Sequence, residues 1–150
     1  RVQLSGDVPS TWSGLMPAWL APDELSVIWQ GQVLQRDEAW HLALVQVADQ
    51  TVWVRDDGLK LGQSVRCRML ARDVSLSTQP PAPSSIQNHL QATVHAVVSG
   101  SHPSQCRVTL AVGDAGLLLH AWVSARAVHQ LGIGVGQPLW AHIKLVALVS

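Results

Sequence analysis

The sequence predicts an all-β fold made of two tandem five-stranded barrels, with one short helix in the second barrel. Three observations indicate this fold: short apolar stretches separated by turn residues, a proline-rich break near the middle, and a second half that repeats the order of the first. The apolar fraction is 47%, with seven Trp but neither Tyr nor Phe, which suits short buried strands. A closed barrel is the economical arrangement because it hides strand edges that would otherwise invite aggregation.

The first barrel is predicted over residues 25–78. Residues 1–24 precede it as an irregular linker or arm, since turn formers and isolated large apolar residues follow each other there without a sustained period. Apolar stretches then predict four strands, at 27–33, 40–47, 51–54 and 65–69. Residues 79–84 contain three prolines, which fix φ and remove backbone donors, so this segment is predicted to link the two units.

The second barrel is predicted over residues 85–150. Its strands are expected at 94–98, 106–112, 117–123 and 139–149. One short helix is expected at 125–131, because Ser124 has N-cap chemistry and Gly132 is a natural stop. Residues 61–65 resemble residues 135–139 at an offset of 74 positions, and at the same offset 72–74 fall opposite 146–148. The shared order of strands and turns predicts a duplication.

The charge pattern excludes several functions. Ten basic residues cancel ten acidic ones, so the sequence indicates no nucleic-acid partner and no attraction to an anionic membrane. It contains no apolar run long enough to cross a membrane and no signal-peptide pattern, which predicts a cytosolic location without direct membrane insertion. Because the chain begins at Arg1 rather than Met, we consider it a candidate piece of a longer protein.

The residues that usually carry chemistry show no catalytic or metal-binding spacing. The seven histidines lack an HExxH or other paired pattern, so neither a metal nor a cofactor is predicted. Cys67 and Cys106 have no CxxC partner and are expected to be buried apolar residues. No GxxxxGK[ST] phosphate loop is present, and an enzyme is not predicted. Five tryptophans are expected within strands, as core or interface anchors: Trp29, Trp40, Trp53, Trp122 and Trp140.

Three segments together resemble a known family. Residues 67–77 resemble the segment that closes the first half of the C-terminal region in bacterial molybdate-importer ATP-binding subunits. Residues 84–90 resemble the opening motif of the molybdate-binding, or Mop/TOBE-type, domain, and residues 136–148 resemble its closing strand. The resemblance implies two barrels of the oligonucleotide/oligosaccharide-binding (OB) type appended to an ATPase domain that this chain lacks.

The function implied by this resemblance is regulatory. Two copies would form a homodimer through their barrels, hold an ATPase dimer together and sense molybdate or tungstate. A membrane permease would be reached only through the absent ATPase domain, at the inner face of the cell membrane. No cofactor is implied beyond the oxyanion ligand.

The family builds its oxyanion sites at barrel interfaces, and five residues here match them by position. They are Ser85, Gln87 and Asn88 in the opening motif, Ser124 before the short helix, and Lys144 in the closing strand. Molybdate is a tetrahedral dianion that only accepts hydrogen bonds, so hydroxyls, N–H groups and cations suit it. Ser124 also lies at a helix N-terminus, where free N–H groups favour an anion.

Two positions depart from the family pattern. Gln87 stands where the family usually has an arginine, and Leu145 stands where a serine commonly follows the lysine. Each lost hydrogen bond to a charged ligand costs about 1.5 to 3 kcal/mol. Every candidate also has an ordinary interpretation, because Ser85 and Asn88 suit turns, Ser124 suits a cap, and a lysine suits a solvated face.

Three alternatives therefore stay open. The barrels could form a purely structural dimerisation module whose ligand site has decayed, which Gln87 and Leu145 favour. They could instead form a stand-alone double-barrel molybdate storage protein. An oligonucleotide-binding barrel follows from the fold alone and is disfavoured by the zero net charge.

Overall fold

Two antiparallel five-stranded sheets and one short helix make up the fold. The computed structural model describes residues 25–149, so the predicted arm at residues 1–24 lies outside the described residues. The strands are β1 (Ser26–Asp37), β2 (Leu42–Val47), β3 (Gln50–Arg55), β4 (Ser64–Leu70), β5 (Val74–Ser77), β6 (Asn88–Ser99), β7 (Gln105–Val112), β8 (Leu117–Ser124), β9 (Pro138–Ile143) and β10 (Ala147–Val149). The helix α1 (Ala125–Leu131) follows β8, and a 3-10 turn (Ala71–Asp73) precedes β5. The predicted all-β architecture with two five-stranded units is confirmed.

The two sheets exchange their closing strands. The first sheet has the order β10-β4-β1-β2-β3 and the second has the order β5-β9-β6-β7-β8. Thus β5, from the first half of the chain, pairs with β9, whereas β10, from the second half, pairs with β4. The division into units at 25–78 and 85–150 stays a prediction, because each sheet takes one strand from the other segment.

The predicted strand at 139–149 is wrong as a single strand. The chain pairs with β6 as far as Ile143, bends at residues 144–146, and then joins the other sheet as β10. The backbone N–H of Lys144 donates to the carbonyl of Asp73 over 2.8 Å, which holds the bend against the 3-10 turn before β5. Since the residues remain mostly apolar through the bend, their composition gives no sign of it.

Matching β-bulges confirm the repeat of strand order and correct part of its alignment. The pairing of β1 with β2 shifts between Val33 and Gln35, and the pairing of β6 with β7 shifts between Val94 and Ala96. The β4 and β9 registers agree with the predicted offset of 74, because Gln32 pairs with Ser64 and Thr93 pairs with Pro138. The closing strands align differently, because the first half has two more residues between Cys67 and Leu76 than the second half has between Ala141 and Leu148.

The register of the closing strands gives an offset of 72. Leu76 pairs with Ala141, and Leu148 pairs with Cys67, the residue 74 positions before Ala141. Leu76 therefore corresponds to Leu148. The predicted match of 72–74 with 146–148 is wrong by two positions.

The core is continuous across both sheets. Inward-facing residues of β1 to β4 and of β6 to β9 belong to one apolar cluster. Cys67 is fully buried, whereas Cys106 is half-buried. Trp29 is buried and its indole N–H donates to the carbonyl of Leu118 over 2.8 Å, which ties the first sheet to the second. The prediction that Trp40 lies within a strand as a core or interface anchor is wrong, because Trp40 lies in the turn before β2 and is 76% exposed.

Candidate functional site

Four of the five predicted site residues lie at one end of the second sheet. Asn88 opens β6 and pairs with Ile143, the last residue of β9. Ser85 and Gln87 therefore precede β6 at the same end where Lys144 leaves β9. All of these side chains are exposed except that of Asn88. The fold thus brings the opening motif close to the end of the closing strand.

Asn88 has a structural role. It is 6% exposed, and its side-chain amide bonds to both backbone groups of Trp53 in β3. The N–H of Trp53 donates to Asn88 Oδ1 over 2.7 Å, and Asn88 Nδ2 donates to the carbonyl of Trp53 over 3.1 Å. The amide thereby pairs with Trp53 as the peptide group of a neighbouring strand would, and it holds the start of β6 against the edge of the first sheet.

Lys144 is an exposed cation at this end of the sheet. Its backbone is fixed by the bond to Asp73, and its side chain is exposed. Within residues 25–149 its ammonium has no ion-pair partner. Leu145, which follows it, is 57% exposed, so the position where the family places a serine presents an apolar side chain to solvent.

Ser124 lies at the opposite end of the second sheet. It ends β8 opposite Gln105, while Cys106 pairs with Ser99, the last residue of β6. Twelve residues of β6 therefore separate it from Asn88. Its hydroxyl oxygen accepts from the N–H of Ala127 over 3.0 Å, so it caps α1 as predicted. One copy of the chain does not bring Ser124 together with Lys144.

Three of the candidate residues have no similar counterpart in the first half of the chain. Counting from the bulges and the strand registers, Asn88 corresponds to Val27 and Lys144 corresponds to Leu70. By the same registers Ser124 corresponds to Asp57, whose carboxylate repels an anion. The two halves therefore share the strand order, whereas the lysine and the serine of the candidate site have no equivalent in the first half.

A histidine pair that joins the opening motif to β9 was missed by the sequence reasoning. His89 and His142 face each other across β6 and β9, with their Nδ1 atoms 2.7 Å apart. His89 Nε2 is 2.9 Å from the carbonyl oxygen of Ile86, and His142 Nε2 is 2.7 Å from the hydroxyl of Ser77. Their separation of 53 residues fits no motif, so only the strand pairing reveals the contact.

Burial shifts two histidine pKa values downward. Desolvation, with a smaller contribution from His89, lowers the pKa of His142. Desolvation also lowers the pKa of His120 to about 4, and the nearby Arg107 adds to this shift. His120 Nδ1 lies 3.0 Å from the hydroxyl of Thr109. Both rings therefore stay uncharged down to a lower pH than an exposed histidine does.

An open cleft lies elsewhere on the molecule. It has a volume of about 540 Å³ and is bordered by β4 and β10, including Arg66, Leu148 and Val149.

No cluster of three metal-ligating side chains occurs in the described part of the chain. None of the helical segments among residues 25–149 has the length and apolar character needed to cross a bilayer.

Comparison with known proteins identifies relatives. Residues 84–149 match the family model of the TOBE domain. The molybdenum import ATP-binding protein ModC of Thiobacillus denitrificans is 41% identical over the whole of this chain, which covers 41% of that protein. ModC of Methylococcus capsulatus is 37% identical over the whole chain, which covers 42% of it. The chain thus spans about two fifths of the length of these curated relatives.

A solved structure shares the fold. The cytoplasmic molybdate-binding protein ModG, in a form with molybdate bound, aligns with a TM-score of 0.69 and 24% identity, covering 81% of this chain and 94% of that one. The likeness confirms the double-barrel arrangement predicted from the sequence. The chain is therefore similar over its whole length to molybdenum import ATP-binding proteins, and its residues 84–149 match the TOBE domain model.

Proposed function

We propose that the chain is an oxyanion-binding and dimerisation module of a molybdate importer's ATP-binding subunit, with molybdate or tungstate as the ligand. The relatives are named as molybdenum import ATP-binding proteins, and the structural neighbour is named as a molybdate-binding protein. On this proposal the module itself is not an enzyme. It lies in the cytoplasm at the inner face of the membrane and reaches the permease through an ATPase domain.

The observation that carries the proposal is the position of Lys144 beside the opening motif. An exposed lysine, the hydroxyl of Ser85 and the amide of Gln87 gather at one sheet end, where a tetrahedral dianion would find a charge and several donors. Ser124 lies at the far end of the same sheet. A site that uses both Lys144 and Ser124 therefore takes the second residue from another copy, which couples ligand binding to dimerisation.

Such coupling is the basis of the regulatory role. A ligand that bridges two copies stabilises the dimer in proportion to its preference for the paired state over the separated state. The ATPase domains attached to those copies would then be held together more strongly when the oxyanion is abundant.

A calorimetric titration with molybdate tests the proposal. We expect molybdate binding that sulfate does not reproduce at equal concentration, and a loss of at least tenfold in affinity in Lys144→Ala, since a charged hydrogen bond contributes about 1.5 to 3 kcal/mol. Lys60→Ala is the matched control, because Lys60 is an exposed lysine in the first half. Equal affinities in the two variants would contradict the assignment of Lys144.

A structural dimerisation module with a decayed site is the second candidate. Gln87 and Leu145 favour it, as does the engagement of the Asn88 amide with Trp53. This candidate predicts a stable dimer that neither releases heat nor gains thermal stability with molybdate. Sedimentation with and without molybdate separates the two, because only the ligand-binding module shows a dimer that strengthens with ligand. A stand-alone molybdate storage protein would bind the ligand without any ATPase partner.

A further inference from the structure

The pair formed by His89 and His142 has a hydrogen-bond arrangement that determines how many protons it carries. Four contacts form one chain, from the carbonyl of Gln79 through Ser77, His142 and His89 to the carbonyl of Ile86. The contacts measure 2.9, 2.7, 2.7 and 2.9 Å in that order. This row of hydrogen bonds ends on a carbonyl oxygen at each side, and a carbonyl oxygen can only accept.

Counting hydrogens gives the charge. The Ser77 hydroxyl donates its single hydrogen to the carbonyl of Gln79, so the contact with His142 requires an N–H at Nε2 of that ring. The contact with Ile86 requires an N–H at Nε2 of His89. One further N–H is required between the two Nδ1 atoms. Three N–H groups are needed, and two neutral imidazoles supply only two.

The complete set of four hydrogen bonds therefore holds one extra proton, so that a neutral imidazole ring faces a protonated imidazolium ring. Without this proton two nitrogen lone pairs would face each other, or one contact would be lost. The burial that lowers the pKa of His142 favours the neutral state for that ring, with its hydrogen on Nε2. The charge then resides on His89, which donates from both nitrogens, to Ile86 and to His142.

Charged side chains at this end of the sheet come from the 3-10 turn and the bend rather than from the strands beside the pair. The outward positions next to the pair on β5, β6 and β9 are uncharged: Ser75, Ser77, Gln91 and Trp140. The charged residues of the 3-10 turn and the bend are Arg72, Asp73 and Lys144. The ring of His89 returns to the peptide between Ser85 and Gln87, where the family arginine is missing.

We propose that protonated His89, held by His142 and the carbonyl of Ile86, is the second cation of the oxyanion site and takes the place of the arginine replaced by Gln87. This inference rests on the proposed function. Its chemical consequence is that a dianion binds together with a proton. Because linkage is reciprocal, molybdate strengthens proton binding by the same factor by which the proton strengthens molybdate binding.

The test measures molybdate affinity of the whole 150-residue chain between pH 8.5 and 6.5, a range in which molybdate stays a dianion. We expect affinity to rise by about tenfold toward pH 6.5, the effect of one added charge near the ligand. We also expect proton uptake on binding near pH 7.5, seen as a dependence of the measured heat on the buffer's ionisation enthalpy. In His89→Gln both effects should disappear, whereas the exposed-residue control His129→Gln should retain them.

Nitrogen-15 spectra of the imidazole rings provide a readout that does not depend on the variant's folding. At pH 6.5 His89 should carry hydrogens on both nitrogens and His142 on Nε2 alone. Two neutral rings at that pH, or a pH dependence of binding that His89→Gln leaves unchanged, would overturn the inference while the proposed function stands. Absence of molybdate binding at every pH would overturn the proposed function and the role of the proton with it.

Discussion

Asn88 shows how a single side chain can complete a sheet edge. Its amide pairs with both backbone groups of Trp53, so the first residue of β6 serves the second sheet through its backbone and the first sheet through its side chain. The same amide is one of the five residues matched to the oxyanion site by resemblance. Its burial and its two bonds favour a structural contribution to that site, in which Asn88 fixes the start of β6 and its neighbours meet the ligand.

The corresponding prediction concerns stability. Asn88→Ala should destabilise the fold by about 2 kcal/mol, because it leaves the N–H and carbonyl of Trp53 without their partner. The measurement is the urea midpoint at constant slope. Gln87→Ala, at the exposed neighbouring position, should change stability by less than about 0.5 kcal/mol. Equal midpoints for the two variants would show that the bond pair to Trp53 contributes nothing.

At the scale of elements, β1 depends on a close approach to β2. Gly31 lies in the middle of β1, and a Cβ there would come within 2.7 Å of a Val47 methyl and 2.8 Å of a Val45 methyl, and still nearer to the carbonyl oxygen of Gln46. All of these are parts of the buried core or its backbone, which cannot move aside without shifting the strand. A side chain at position 31 therefore forces the two strands apart.

Gly31→Ala should accordingly cost about 1 to 3 kcal/mol, the usual range for overpacking a core. Gly134→Ala is the matched control, since a Cβ at that position meets nothing within 4 Å. Thermal melting of both variants compares them directly. A Gly31→Ala protein as stable as the Gly134→Ala protein would show that β1 adjusts without strain.

The elements also show what the sequence could predict. Turn residues, alternation and the Ser124 cap mark the strands and α1 locally, so those features were predictable. The exchange of β5 and β10 was not, because a three-residue apolar strand reads as a continuation of the strand before it. The His89 contact with His142 was hidden for a similar reason, since the pairing of β6 with β9 joins residues far apart in the chain.

On the scale of the whole molecule, the exchange makes each sheet depend on both halves of the chain. Neither half contains a complete sheet: the first lacks β10 and carries β5 without its partner β9, and the second has the converse defect. The apolar core also continues from one sheet into the other. The two barrels should therefore unfold together.

Fragments test this dependence. Peptides of residues 1–83 and 84–150 should each lack a cooperative thermal transition when alone, and should recover one on mixing, because only the mixture contains both exchanged strands. Circular dichroism with melting of each fragment and of the mixture provides the measurement. A sharp transition in either isolated fragment would show that a barrel folds without the other half.

The exchanged strands also impose an order on synthesis. Residues 64–70 of β4 are made early, but the strand that covers their edge, residues 147–149, is made nearly eighty residues later. Throughout that interval a nascent chain presents an open edge with unpaired backbone groups. Strand 74–77 of a second nascent chain, the repeat counterpart of β10, is available on the same polysome to occupy it. Translation in close proximity thus favours pairing between chains at the very edge that a completed chain closes for itself.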